Sequence, residues 1–175
     1  DHIESYFALR TFTVEKDHNN IPRICLNHKP LFQKGVLDQG YWPDGLYTAP
    51  SDDALIYDIK TIKSLGFNML RKHIKIESER WYYHCDRLGM IVWQDMVNGG
   101  SKYKSWFVTY LATLMSFFDI SFSDKFSHLF ARKSKKGKKE FIRETLQTIK
   151  TLSNHPSIAT WVIFNEGWGQ FDTNY

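Results

Sequence analysis

From Leu31 onward the chain alternates between short apolar runs and longer segments whose apolar residues recur at helical spacing. No other feature restricts the fold as strongly, because strand-then-helix repetition implies parallel strands joined by right-handed crossovers. Leu31 to Leu37 is strand-like. Ser51-Asp52-Asp53 then caps a helix, its short side-chain oxygens meeting free amide donors and its acids the positive end of the dipole. Leu55, Ile59, Ile62 and Leu65 keep helical spacing, and Gly66 closes the segment. Phe67 to Leu70 reads as the next strand, ending at Arg71-Lys72-His73. A second helix carries Trp81, Cys85 and Leu88 and stops at Gly89, and Met90 to Trp93 follows as a strand ending at Gln94-Asp95. The third helix has Ile142, Thr145, Leu146, Ile149 and Leu152 on one face. Asn154-His155-Pro156-Ser157 ends it, since proline cannot continue a helix, and a short apolar strand from Thr160 then stops at Asn165-Glu166-Gly167.

Four such units make half of an eight-stranded barrel, so the expected class is α/β: the amino-terminal half (about four βα units) of a TIM (β/α)8 barrel over residues 31–175. A half-barrel exposes two long apolar edges. The expectation is therefore a piece of a longer chain, or a half-barrel completed by self-association as a homo-oligomer. Residues 1–30 differ in rhythm. Ser5 to Val14 is dense in β-formers, with Tyr6, Ala8, Phe12 and Val14 on one face and Arg10 breaking it, and Ile21 to Leu26 is a second short strand. Two strands cannot form a stable domain alone and read as the tail of a β-sandwich. Between the third strand and the third helix runs a long aromatic excursion from Val97 to about Gly137. It fits a functional loop at a strand's carboxyl end, or a small helical insertion with its own satellite core.

Composition narrows function more than fold. The run Arg132-Lys133-Ser134-Lys135-Lys136-Gly137-Lys138-Lys139 holds much of the +4 formal charge. With no aromatic interleaved it reads as a solvated loop, and no nucleic-acid partner is expected. Cys25 and Cys85 lie far apart without metal-ligand spacing and read as buried free thiols. No ligand set for a metal or cofactor is present, no run is long enough to span a bilayer, and no signal segment fixes a compartment. Aromatics at 16% supply the flat side chains that line sugar sites, and equally ordinary core material.

Chemistry-bearing residues collect where successive strands end: Arg71 with Lys72 and His73, Gln94 with Asp95, and Asn165 with Glu166, with Asp38 and Gln39 after the first strand as possible companions. In an α/β barrel that rim is where reactions are run, while the opposite face serves stability. One carboxylate among aromatics and cations suits glycoside hydrolysis, in which a carboxylic acid delivers a proton to the glycosidic oxygen. Asp95 and His73 are each as readily structural rim groups as sugar contacts. Trp42 and Trp168 are either sugar platforms or loop anchors.

Thr160 to Asp172, with Asn154-His155-Pro156-Ser157 before it, resembles the acid/base segment of family 2 glycoside hydrolases, the group of β-galactosidases, β-glucuronidases and β-mannosidases. Gly66-Phe67-Asn68-Met69-Leu70-Arg71 resembles that family's second barrel strand, and Cys85 through Asp95 its second helix and third strand. The resemblance implies a retaining β-glycosidase acting on terminal β-linked sugars such as β-galactosides, with Glu166 as general acid/base and carbohydrate as the partner. It also implies that Asn165 bonds the sugar 2-hydroxyl and that Arg71 orients the nucleophilic carboxylate; His73, Asp95 and Trp168 stand beside them as substrate-site candidates read from their positions in the chain. By it, residues 1–30 are the end of an immunoglobulin-like β-sandwich, and the nucleophile is a Glu beyond Tyr175, so that this chain alone is expected to be inactive. The departures concern the sugar. Lys72-His73-Ile74-Lys75 stands where β-galactosidases carry a Ser-His-Tyr-Pro run, and Trp93-Gln94-Asp95 is nearer the β-mannosidase pattern. Arg71, Lys72, His73 and Lys75 favour an anionic sugar such as a glucuronide, unless the lysines face solvent. A carbohydrate-binding module without hydrolysis is the rival from another class.

Overall fold

The computed structural model describes residues 2–121, 123–129, 131–167 and 169–172. Two sheets organise them. The first is antiparallel, in the order β1 (Phe12–Lys16), β2 (Pro22–Leu26) and β3 (Lys29–Pro30). The second is a four-stranded parallel sheet in strict chain order, β4 (Gly35–Asp38), β5 (Met69–Lys72), β6 (Ile91–Asp95) and β7 (Ile158–Val162). Helices α1 (Asp52–Ser64), α2 (Glu79–Leu88), α3 (Ala112–Phe117) and α4 (Lys135–Leu152) lie between them. Parallel strands in chain order with a helix in each crossover are half of a closed barrel, the class expected from the sequence.

Local signals explain most boundaries. The Ser51 side chain accepts from Ala54 N at the start of α1, with Asp52 and Asp53 in its first turn. Gly89 ends α2 in the left-handed conformation at φ 66°. Leu70, Val92 and Ile158 point to the helix side of the sheet and pack with Leu55, Ile59, Trp81, Tyr82, Cys85, Met90 and Leu152. Burying each such aliphatic group stabilises by about 1.5–3 kcal/mol, which fixes the register of a strand that presents alternate residues to that face. Cys25 and Cys85 are buried free thiols, and burial pushes the Cys85 thiol well up.

Three local expectations are corrected. Residues 5–11 do not extend the first strand, because β2 spans five residues and pairs only with Phe12 to Lys16. The segment instead crosses to the base of the parallel sheet, where Tyr6 and Arg10 bond to Asp86, Pro156 and Ile158. The basic run is no loop: Ser134 caps α4 by accepting from Gly137 N, and Lys135 to Lys139 form its first turns. On α4 it is Phe141 and Leu152 that are buried, while Ile142 and Leu146 are exposed. The excursion after β6 is helical, a π-helical turn (Trp106–Leu111) running into α3 and a later 3₁₀ turn (Asp124–Phe126). Among its described residues Phe107 is buried, while Trp106, Tyr110, Phe117, Phe118 and Phe126 are exposed.

Candidate active site at the carboxyl rim

Barrel strands alternate between the helix layer and the barrel interior, and β5 and β6 put different chemistry on each side. On the interior side Arg71 and Asp95 face each other at the strand ends. Arg71 Nε donates to Asp95 Oδ1 at 2.9 Å and Nη2 to Oδ2 at 3.0 Å, a bidentate pair. Nη2 also donates to Asn165 Oδ1 at 2.7 Å, which joins β5, β6 and the turn after β7 into one network. Asp95 is fully buried and Asn165 nearly so, whereas the Arg71 side chain keeps 29% of its surface exposed. Hydrogen bonding to Asp95 raises the Arg71 guanidinium above its ordinary value against the opposing desolvation, and the charges of Asp95 and Glu166 add to the rise. Glu166 therefore stands within electrostatic reach of Arg71. It is exposed, in a 3₁₀ turn (Asn165–Gly167) beyond β7, with its backbone in the left-handed region at φ 54°. The acid is carried by the turn after the strand rather than by the strand's own end.

Of the remaining candidates, His73 lies on the same rim, where the Gln39 amide donates to its Nδ1 at 3.0 Å. Asp95 spends both carboxylate oxygens on Arg71 and presents no surface, so any influence on a ligand passes through the guanidinium. Trp168 lies outside the described residues. Gln94 is buried on the helix side, accepting from Tyr82 Oη at 2.6 Å and donating to the carbonyls of Lys75 and Asp95. Asp38 turns the same way, pairing with Lys72 Nζ at 2.9 Å.

The two lysines neither face solvent nor line the rim. Lys72 is 1% exposed, held by Asp38 and by Glu77 at 3.1 Å over the Trp81 ring. Lys75 Nζ pairs with Glu77 at 2.9 Å and donates to the carbonyls of Gly40 and Tyr47. Both charges are neutralised internally, and what they do is tie the loops after β4 and β5 together. Sequence reasoning also missed Arg132. It is buried over the Phe141 and Phe171 rings and donates from Nε to Gly169 O, three residues past Glu166. Burial pulls its guanidinium below the ordinary value. Its position in a lysine-rich run disguised it as solvated charge.

A parallel half-barrel with an arginine, its acid and amide partners and an exposed glutamate on its carboxyl rim has the layout of the active-site face of an α/β-barrel enzyme. The family model for glycosyl hydrolases family 2, TIM barrel domain, matches residues 19–174, and the chain belongs to that family. A β-galactosidase of Lactococcus lactis subsp. lactis is 31% identical over 85 residues, covering 49% of this chain and 8% of the relative. Among solved structures, a family 2 β-galacturonidase from Eisenbergiella tayi bound to galacturonate is similar at 25% identity and a TM-score of 0.61, over 91% of this chain and 23% of the other. The β-glucuronidase of Parabacteroides merdae has the same fold at 19% identity and a TM-score of 0.63, over 96% of this chain and 17% of the other. The chain thus spans less than a quarter of each of these three relatives.

Proposed function

We propose that this chain is the acid/base half of a retaining β-glycosidase acting on terminal β-linked sugars such as β-galactosides, with Glu166 as the general acid/base. The observation that carries the reading is the Arg71 network: one guanidinium joins Asp95 and Asn165 and leaves Glu166 exposed beside it. Because Arg71 occupies Asn165 Oδ1, the amide nitrogen is the group left to donate to a sugar 2-hydroxyl. Glu166 protonates the departing glycosidic oxygen while a second carboxylate, supplied from outside these residues, attacks the anomeric carbon. In the second step the Glu166 carboxylate takes a proton from the water that hydrolyses the glycosyl ester. Arg71 orients the nucleophile, His73 contacts the sugar from the neighbouring strand end, and Trp168 offers it a flat face. Asp95 serves the site through Arg71. Residues 1–30 form the end of an immunoglobulin-like sandwich.

The internal pairing of Lys72 and Lys75 takes two of the four cations out of the rim and leaves Arg71 and His73; the β-galactosidase relative supports a neutral sugar, the β-galacturonidase and β-glucuronidase structures an acidic one such as a glucuronide. The test is hydrolysis of aryl β-galactoside, glucuronide, mannoside and glucoside by this chain and by a form extended through a second half-barrel. The extended form should be active, the chain alone inactive, and Glu166→Gln should lose about 10²–10⁴-fold in kcat on substrates that need a proton for departure. Saturable sugar binding without turnover, unchanged by Glu166→Gln, would replace this reading with a binding module.

A further inference from the structure

Glu166 sits in a backbone region that disfavours a side chain, and its surroundings hold it there. Upstream the holder is visible, since Arg71 grips Asn165. Downstream a second arginine does the equivalent. Arg132 Nε donates to Gly169 O at 2.8 Å in a buried contact, with its guanidinium carbon 4.4 Å from the centre of the Phe141 ring and 5.4 Å from that of Phe171. Phe164 and Phe171, one on each side of the turn, both pack on Phe141 of α4, so the feet of the loop share one aromatic base. Gly169 makes the grip possible. It has φ 73°, and a Cβ there would come within 2.9 Å of Arg132 Nε.

We propose that Arg132 is a positioning residue of the site, fixing the downstream end of the loop whose upstream end Arg71 holds, and so setting where the Glu166 carboxyl lies. The proposal rests on the reading of Glu166 as acid/base. It gives a role to a buried guanidinium whose charge is met by two ring faces and a carbonyl, a geometry that a flexible ammonium reproduces poorly.

Amide hydrogen exchange on this chain tests the grip without reference to catalysis. Arg132→Met should accelerate exchange over 165–172 by about tenfold or more, the size expected when a hydrogen bond from a charged donor is lost, with 91–95 unchanged. Arg132→Lys keeps charge and stem if the first variant fails to fold, and should accelerate the same amides. Gly169→Ala should do likewise, and combining it with Arg132→Met should add little, since both release one contact. In the extended protein, Arg132→Lys should lower kcat on an alkyl glycoside by about 10- to 100-fold while changing KM little. On a dinitrophenyl glycoside, whose leaving group departs without a proton, kcat/KM should be nearly unaffected, while kcat falls because Glu166 still serves as base in the second step. Unchanged exchange, acceleration spread over the whole chain, or an equal loss in kcat/KM on both substrates would overturn the proposal. Absence of hydrolysis in the unsubstituted extended protein would instead overturn the acid/base reading, and the exchange data would still decide whether Arg132 holds the loop.

Discussion

Each end of the parallel sheet carries a network centred on one buried aspartate, and the two are finished differently. At the amino end Asp86 accepts from Tyr6 Oη at 2.6 Å and Ser157 N at 2.8 Å, and meets His155 Nδ1 at 2.6 Å. Its side chain is 2% exposed and that of His155 6%, whereas Tyr6 is 48% exposed, so the aspartate and the imidazole are shut away and only the phenol reaches solvent. At the carboxyl end Asp95 is as deeply buried, but its partner Arg71 is part-exposed and extends to Asn165 beside an exposed Glu166. One network reaches the surface through a neutral phenol whose hydroxyl is spent on the aspartate, the other through a guanidinium beside an exposed carboxylate. Hydrogen bonds spent inside a network serve stability, whereas charged groups left at the rim can meet a ligand. The same two-ended division explains the motif around Asn154-His155-Pro156-Ser157: His155 and Ser157 bind Asp86 and belong to the foundation, far from any chemistry.

The largest effect should come from breaking the amino end. Asp86→Ala leaves a buried imidazole, a backbone amide and a phenol without their acceptor, and should destabilise by about 3–5 kcal/mol in urea unfolding. Activity per folded molecule of the extended protein should stay near normal, and a large fall in kcat would erase the distinction between the two ends. Asp95→Asn should be milder on stability, about 2 kcal/mol, because Arg71 keeps solvent and Asn165. It should cost more in turnover, about 100-fold in kcat, as the freed guanidinium lets Asn165 rotate. Tyr82→Phe sharpens the comparison by touching the helix side alone. It leaves Gln94 Oε1 and Glu77 N short of a partner, and should cost about 1 kcal/mol with turnover preserved.

The smallest effect is one of pH. Burial, and then the charge of Arg87, lower His84 below its ordinary 6.5, and Arg87 Nε donates to its Nδ1. The unfolded chain therefore takes up the proton first as pH falls below about 6.5, and this group withdraws stability until the folded imidazole is protonated too. Above that window it contributes nothing. His84→Gln should flatten the decline in urea midpoint between pH 7.5 and 5, and an unchanged slope would show that His84 is not a source of it.

The strand-helix rhythm, the Ser51 cap, the Gly89 stop and the strand-end positions of Arg71 and Asp95 were legible in the sequence. Each depends on neighbours a few residues away: spacing that makes one face apolar, a hydroxyl that reaches a nearby amide, a glycine that turns the chain. What failed locally did so for a tertiary reason. Residues 5–11 have the composition of a strand but no strand to pair with, and the lysines after Arg132 resemble a loop although a capping serine and the buried Phe141 make them a helix.

Partnership was decided only by the fold. Arg71 and Asn165 lie 94 residues apart, and Arg132 and Gly169 lie 37 apart. Nothing in local spacing says that Lys72 and Lys75 will be neutralised by Asp38 and Glu77 while Arg71 stays at the rim. A strand's alternation sends neighbouring side chains to opposite faces, so residues 71 and 72 meet different worlds although both are cations. The sequence by itself determined which chemistry stands near the strand ends. The tertiary structure decided which of those groups are spent on one another and which are left for a ligand, because charge, burial and reach are properties of the assembled sheet.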